Sequence, residues 1–325
     1  MNSSSALSPD VLKFDELAEA DRIARWIVET LSKKLHRRGL VVAVSGGIDS
    51  SVCAALAARA LGPGKVFALL LPERDSSGFS TERGLQLARH LGIAHEVFDI
   101  APALEALGCY RQRDEAIARV FPAYTAQWKS KIVIAGGTQG GINYFKLVVA
   151  EPDGTRHEAR LPVREYLQIV AATNFKQRVR KTMDYFHADR LNYAVVGTPN
   201  RLEYDQGFFV KVGDGAADLK PIAHLYKTQV YAMARALRLP EAICNALPTT
   251  DTYTLAQGQD EFFFALPYAQ MDLALWALNH GIDAAMAAPA LGIDTKRAAR
   301  VYADMAAKRR AARYLHAPAE TIEPV

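Results

Sequence analysis

The tightest constraint on the fold lies between Val41 and Ser51. Four apolar residues, Val41-Val42-Ala43-Val44, run into Ser45-Gly46-Gly47-Ile48-Asp49-Ser50-Ser51 and then into the helix-forming stretch Val52-Cys53-Ala54-Ala55-Leu56-Ala57-Ala58. A short apolar run, a two-glycine turn and a helical stretch predict a buried parallel strand that turns directly into a helix. Such a junction favours an anion. Free N–H groups and the partial positive charge of a helix N-terminus attract phosphate, glycines let its oxygens approach the backbone, and the serine hydroxyls add donors. A bare carboxylate at Asp49 would repel phosphate, so its place here points to Mg²⁺, which bridges phosphate oxygens and reverses the local charge balance.

Composition sets the frame around this junction. Half of the 325 residues are hydrophobic, enough to build a large core, and we read residues 1–325 as one domain. The formal charge of +4 is modest and dispersed. It makes no case for nucleic acid, and the basic groups at Lys176 to Lys181 and Lys308 to Arg313 suit a phosphate-rich small molecule equally well. Cys53, Cys109 and Cys244 stand alone. Isolated cysteines without a Cys-x-x-Cys pair point to a reducing compartment and exclude a zinc ribbon. No basic segment followed by an apolar one marks Met1 to Asp10 as a signal peptide. The most apolar stretch, Phe262 to Leu278, carries Pro267, Gln270 and Asp272 and reads as a buried helix rather than a membrane span. A cytoplasmic protein, free of membrane, is expected.

Along the chain, Asp15 to Arg37 places Leu17, Ile23, Trp26, Ile27, Leu31 and Leu35 on a helical stripe. Strands at Lys65 to Leu71 and His95 to Ile100 then alternate with a helix at Ser80 to Leu91, and a further strand follows Asp189-Arg190 at Tyr193 to Thr198. This spacing predicts a doubly wound parallel α/β sheet, Rossmann-like, with ligands beyond the C-terminal strand ends where the opening loop, Pro72 to Ser77 and Gly197 to Glu203 would lie. One segment breaks the alternation. Between residues 126 and 165, β-rich runs at Lys131 to Ala135, Ile142 to Val149 and Arg156 to Leu161 are separated by Gly136-Gly137-Thr138-Gln139-Gly140-Gly141 and by Pro152-Asp153-Gly154. We read an inserted antiparallel meander.

The opening loop has neither the Gly-x-x-x-x-Gly-Lys-Ser/Thr spacing of kinase-like ATPases nor the Gly-x-Gly-x-x-Gly of dinucleotide folds. Its Ser-Gly-Gly-x-Asp-Ser form resembles the loop of the ATP pyrophosphatase superfamily, whose adenine nucleotide alpha hydrolase-like domains cleave ATP between its α and β phosphates to activate carboxylates, ureido groups or tRNA bases. Further on stand Gly197-Thr198 with Glu203, the run Gly207-Phe208-Phe209-Val210-Lys211-Val212-Gly213-Asp214-Gly215-Ala216-Ala217-Asp218, and Leu225-Tyr226-Lys227-Thr228-Gln229. In order and spacing these resemble the amidating domain of NAD synthetases. Asn174-Phe175-Lys176-Gln177-Arg178, Pro248-Thr249 and Lys308-Arg309 are similar to other motifs of that family.

The resemblance implies an enzyme that adenylates the carboxylate of deamido-NAD with ATP and Mg²⁺, then lets ammonia displace AMP. It assigns ATP and pyrophosphate to Ser45, Gly46, Gly47, Ile48, Asp49, Ser50, Ser51, Leu71, Arg178, Thr198, Lys227 and Thr249. It assigns Mg²⁺ to Asp49 and Glu203, and the acyl substrate to Asn174, Arg178, Lys211, Asp214, Asp218, Lys308 and Arg309. Asp49, Lys211, Asp214 and Lys227 are the catalytic set. The residue types suit the chemistry, because charge builds on the α-phosphate and the departing pyrophosphate and must meet cations and fixed N–H donors. Lys227 would follow that charge, and Asp214 would orient ammonia or take its proton.

Several expectations are structural. Asp218 could equally position its loop, Gly213-Asp214-Gly215 could be an ordinary turn, His187 and His224 read as packing or surface residues, and the Phe208-Phe209 and Phe262-Phe263-Phe264 clusters read as core or interface. Arg178 and Arg180 fall on different faces of a helix, so at least one is expected in a salt bridge or interface. The loop Pro72-Glu73-Arg74-Asp75-Ser76-Ser77 departs from the acidic cluster of compact relatives. The meander is the larger departure, and we read it as a lid or specificity element. With no glutamine-hydrolysing domain or recognisable cysteine nucleophile, ammonia is expected free or from a separate glutaminase, and the resemblance implies a homodimer. A homologue that amidates another carboxylate, such as a mononucleotide or specialised metabolite, is the alternative. A tRNA-modifying pyrophosphatase would need reactive cysteines, a zinc site or a basic appended domain, and the sequence shows none of these.

Overall fold

The computed structural model describes residues 7–135, 144–246, 253–255, 264 and 266–323. Strands β1 (Leu40–Ala43), β2 (Val66–Leu70), β3 (Ala94–Val97), β4 (Lys129–Ala135), β5 (Tyr144–Ala150), β6 (Arg156–Arg160) and β7 (Ala194–Val196) divide into two sheets. The first is parallel, in the order β3-β2-β1-β7, with Leu40 level with Val66 on one side and Ala194 on the other. Strand order therefore reverses at β1, the place where a doubly wound sheet opens a crevice for a ligand.

Both faces of this sheet are covered. Leu40, Val42, Ala68, Ala194 and Val196 pack toward helices α1 (Glu16–Thr30) and α2 (Ile48–Leu61), while the alternating Val41, Leu69 and Val195 join Ile100, Tyr110 and Ala188 on the opposite side. That alternation is why the strands read as unbroken apolar runs: each successive side chain enters a different core. Helix α3 (Gly78–Leu91) follows β2, and the short α4 (Ala101–Ala106) leads into α5 (Cys109–Val120), which packs along α6 (Val163–Leu191). The stretch His95 to Ile100 is strand only as far as Val97, although Phe98 and Ile100 still donate to the carbonyls of Leu70 and Pro72. On α1 the buried face is Ala20, Ile23, Ile27 and Thr30, whereas Leu17 and Trp26 are exposed. The expected stripe was too wide, because only one side of α1 meets the sheet layer.

The meander is the second sheet, β4-β5-β6, antiparallel throughout. Its own small core of Ile132, Leu147 and Val149 packs with Ile117 of α5 and Ile169 of α6. After β7 come α7 (Arg201–Gln206), α8 (Lys227–Ala236) and α9 (Glu241–Cys244), then a helical cluster of α10 (Tyr268–Asn279), α11 (Ala284–Leu291) and α12 (Thr295–His316). Met271, Leu275, Ala287, Leu291, Val301 and Met305 form the core of that cluster. Among the described residues no helix is long and apolar enough to cross a membrane.

Candidate active site

A cavity of about 1030 Å³ opens over the C-terminal ends of β1, β2 and β7. Its floor is the opening loop, its far wall is α6 and the meander, and its rim includes the 207–214 segment and the end of α12.

The loop is held by its own side chains. The Ser50 hydroxyl donates to the Gly47 carbonyl at 3.1 Å and accepts from the Ser45 N–H at 3.2 Å, and the Ser51 hydroxyl donates to the same carbonyl at 2.8 Å. Ser51 is thereby buried and does not line the cavity, and neither does Gly46; the sequence reading had placed both on phosphate. Gly46 is glycine for another reason. Its φ is +74°, and a Cβ there would lie 2.2 Å from the Ser80 carbonyl oxygen. Gly46→Ala therefore lowers the unfolding free energy by about 2 to 4 kcal/mol, as measured by urea denaturation, because the clash is with backbone and the conformation disfavours a side chain. Ser45, Gly47, Ile48, Asp49 and Ser50 do face the cavity, as do Leu71 and Thr198.

Asp49 opens α2, and its carboxylate is the hub of the site. One oxygen accepts from Asn200 Nδ2 at 3.0 Å and the other from Lys227 Nζ. Lys227, only 1% exposed, also lies 4.0 Å from Glu203 Oε1. Burial alone would lower the lysine pKa, but the charges of Asp49 and Glu203 outweigh it and hold the ammonium form. The Glu203 carboxyl is raised well above the usual range, first by burial and then by the Asp49 charge, with Lys227 opposing.

Asn200 was missed in the sequence. It caps α7 by accepting from the Glu203 N–H at 3.1 Å, while Glu203 Oε2 accepts from the Asn200 N–H at 3.2 Å. The signal was available as an Asn-x-x-Glu capping box immediately after a strand. The box does double duty, since the Asn200 amide then reaches Asp49. A second unforeseen residue, Asp272, is fully buried on α10 and accepts from the Thr228 N–H at 2.7 Å, so it caps the helix that presents Lys227. Burial pushes its carboxyl up to about 6, against the opposing pull of those N–H groups.

The acyl side is only partly assembled as expected. Asn174, Arg178, Lys211, Asp214 and Lys308 line the cavity. Asp214 accepts from the Val210 N–H at 2.7 Å, and burial raises its carboxyl. Lys211 Nζ donates to the carbonyls of Tyr314 and Ala317 at 2.9 and 3.1 Å, and Lys308 pairs with Asp304 at 2.7 Å. Asp218 and Arg309 are outside the cavity. Asp218 accepts from the Val195 N–H at 2.7 Å and so ties its loop to β7, and Arg309 grips Asp205 through two 2.7 Å bonds. Neither side chain faces the cavity, and each is engaged by an internal partner. Arg178 and Arg180, expected to diverge, both line the cavity, and each donates to a backbone carbonyl, that of Lys211 and of Leu71 respectively. Phe208 and Phe209 line the cavity, and Phe208 also packs against the core of the helical cluster beside the buried Phe264. Thr249, Phe262 and Phe263 lie outside the described residues.

The loop after β2 is also repurposed. Pro72 and Ser76 line the cavity, but Glu73 and Asp75 turn inward to Lys176, at 3.0 and 2.7 Å, with Arg113 on Asp75 and the Tyr110 hydroxyl on Glu73. This buried network braces α6 against α5, and Lys176, which also lines the cavity, belongs to it. All three cysteines are free and buried, and burial raises each thiol, Cys109 to about 11. None is set up as a nucleophile.

Fold and site together define an α/β protein with a cavity at a strand-order reversal and an acid–lysine cluster over a strand-to-helix turn. The NAD synthase family model matches residues 19–131 and 139–312. An NH(3)-dependent NAD(+) synthetase of Rhizobium meliloti (strain 1021) is 54% identical over 319 residues, covering 98% of this chain and 95% of the relative. One from Thermotoga neapolitana is 37% identical over 254 residues, covering 77% and 81%. The chain belongs to the NAD synthase family. Two solved structures share the fold at lower identity. They are an NMN synthetase from Francisella tularensis (22% identical, TM-score 0.65, covering 95% of this chain and 99% of that one) and an NH3-dependent NAD synthetase from Campylobacter jejuni (21%, 0.63, 95% and 100%).

Proposed function

We propose that this protein is an ammonia-dependent NAD synthetase, converting ATP, deamido-NAD and ammonia into NAD, AMP and pyrophosphate. The observation that carries the reading is the convergence of Asp49, Glu203 and Lys227 above the phosphate loop. In the first step a carboxylate oxygen attacks the α-phosphorus, and the bond to the bridging oxygen breaks with its electron pair leaving on pyrophosphate. In the second, ammonia attacks the acyl carbon, AMP departs, and one proton is lost from nitrogen.

The chain's own groups fit these demands. Loop N–H groups and the start of α2 face the pyrophosphate, and the Lys227 ammonium stands beside them to meet the growing charge. Asp214, made more basic by burial, is placed to take the ammonium proton. Asp49 and Glu203 suit Mg²⁺: two hard carboxylates facing a phosphate site, one of them poorly stabilised as an anion without a cation, are the oxygen donors this ion takes alongside phosphate and water. Bound there, Mg²⁺ would neutralise phosphate charge as a Lewis acid. Thr249 is assigned to ATP beside this group. We read the enzyme as a cytoplasmic homodimer that uses free ammonia or ammonia from a separate glutaminase.

The meander supports a role in recognising the acid. Ile134, Tyr144 and Phe145 present an apolar and aromatic wall to the cavity, with Phe145 stacked on Tyr166 at 4.1 Å. Phe145→Ala is expected to raise KM for the acid about tenfold and that for ATP less than twofold, and equal effects on both would remove the meander from acid recognition. The decisive assay supplies ATP and ammonia with a panel of acids and follows AMP and pyrophosphate. Deamido-NAD should release both; release with a mononucleotide acid and none with deamido-NAD would overturn the substrate assignment.

A further inference from the structure

Among the described residues, the chemistry above leaves one cation of the cavity wall without a task. Lys176, Lys181, Lys227 and Lys308 are ion-paired, and Arg178, Arg180 and Lys211 donate to backbone carbonyls. Arg83 lines the same cavity, yet none of the described residues gives it a hydrogen bond or ion pair, and its Nε is buried without an acceptor. A guanidinium keeps its proton under all ordinary conditions. Partly buried, it gives up hydration that no described residue returns.

Its position is set by α3. Ser80, Arg83, Gly84 and Leu87 follow at i, i+3, i+4 and i+7 and share one stripe of that helix. The Ser80 carbonyl fills the space where Gly46 lacks a Cβ, at 2.2 Å, and a Cβ on Gly84 would come within 2.7 Å of Leu70 and 3.4 Å of Val44. Leu87 is fully buried. The stripe is thus pressed onto the loop and the strand ends beneath it at Ser80 and Gly84, and Arg83, Ser45 and Gly47 all line the cavity.

We infer that Arg83 binds the pyrophosphate portion of ATP and retains it as it leaves, a role that rests on the nucleotide reading above. Its planar fork can give two parallel N–H bonds to phosphate oxygens, and the incoming charge supplies the counter-ion that the free protein lacks. No bond to Arg83 forms or breaks.

The test titrates inorganic pyrophosphate with Mg²⁺, and AMP separately, into the full chain and its Arg83→Gln and Arg83→Lys variants by calorimetry, with thermal melting of each ligand-free protein. Arg83→Gln should weaken pyrophosphate about 10- to 100-fold, leave AMP within twofold and leave the melting temperature unchanged or higher, and Arg83→Lys should recover part of the loss. Unchanged pyrophosphate affinity in Arg83→Gln overturns the inference, as does an equal loss for both ligands. Failure of the unmodified protein to bind pyrophosphate would overturn the nucleotide reading along with it.

Discussion

Asp49→Asn should abolish exchange of labelled pyrophosphate into ATP, with turnover reduced by at least about 10²- to 10³-fold, while the protein stays folded. The fold survives because asparagine has the same shape and its oxygen can still accept from Asn200 Nδ2, the bond that joins α2 to α7. What disappears is charge. Lys227 loses its main partner, and Glu203, relieved of the neighbouring anion that raises its carboxyl, ionises more readily and draws the lysine toward itself across the present 4.0 Å. Neither carboxylate then offers the paired site that Mg²⁺ and the triphosphate require. Exchange retained within tenfold of the unmodified enzyme, alongside an unchanged melting curve, would remove Asp49 from the chemistry.

Lys227→Met should have the second large effect, and it should be visible in stability as well as rate. Methionine fills the same volume but leaves the Asp49 and Glu203 carboxylates facing each other without a cation. Stripping one partner from a buried ion cluster costs about 3 to 5 kcal/mol. Here Glu203 has an escape, because removal of the lysine takes away the one charge holding its carboxyl down. A carboxyl whose folded pKa is raised binds its proton more tightly in the fold than in the unfolded chain, so its contribution to stability falls as pH rises between the unfolded and folded values. Because the unmodified protein already holds the Glu203 carboxyl raised to about 8, the deficit of Lys227→Met should stay level below that pH and grow above it in guanidinium titrations, and turnover should fall about 10³-fold. A deficit independent of pH would show that the two carboxylates are not coupled through Lys227.

Much of this site was visible before folding. The apolar run, double glycine and serine cluster at Ser45 to Ser51 encode a strand, a turn and a helix start within a dozen neighbouring residues, and that is how they fold. Lys211 and Asp214, assigned by resemblance, both line the cavity. Arg83 and Asp272 were invisible, because an arginine or aspartate in an amphipathic helix carries no mark of which face will meet a cavity or a helix end. Asn200 lay between: its capping box is a local signal, but its reach to Asp49 is not. Asp218 and Arg309 show the converse, since a charged side chain in a matching motif can still be taken by a nearer internal partner.

The sequence by itself determined the α/β alternation, the antiparallel meander and the strand–turn–helix junction at Ser45 to Ser51, because each depends on periodicity, glycine placement and helix-start chemistry within a few residues. Tertiary structure alone decided which charges meet. Asp49 and Lys227 are 178 residues apart, and Asp49 and Asn200 are 151 apart. These three are brought together only when β7 docks beside β1 and α8 packs on α2, since the partner of a buried charge is chosen by the packing that excludes water around it.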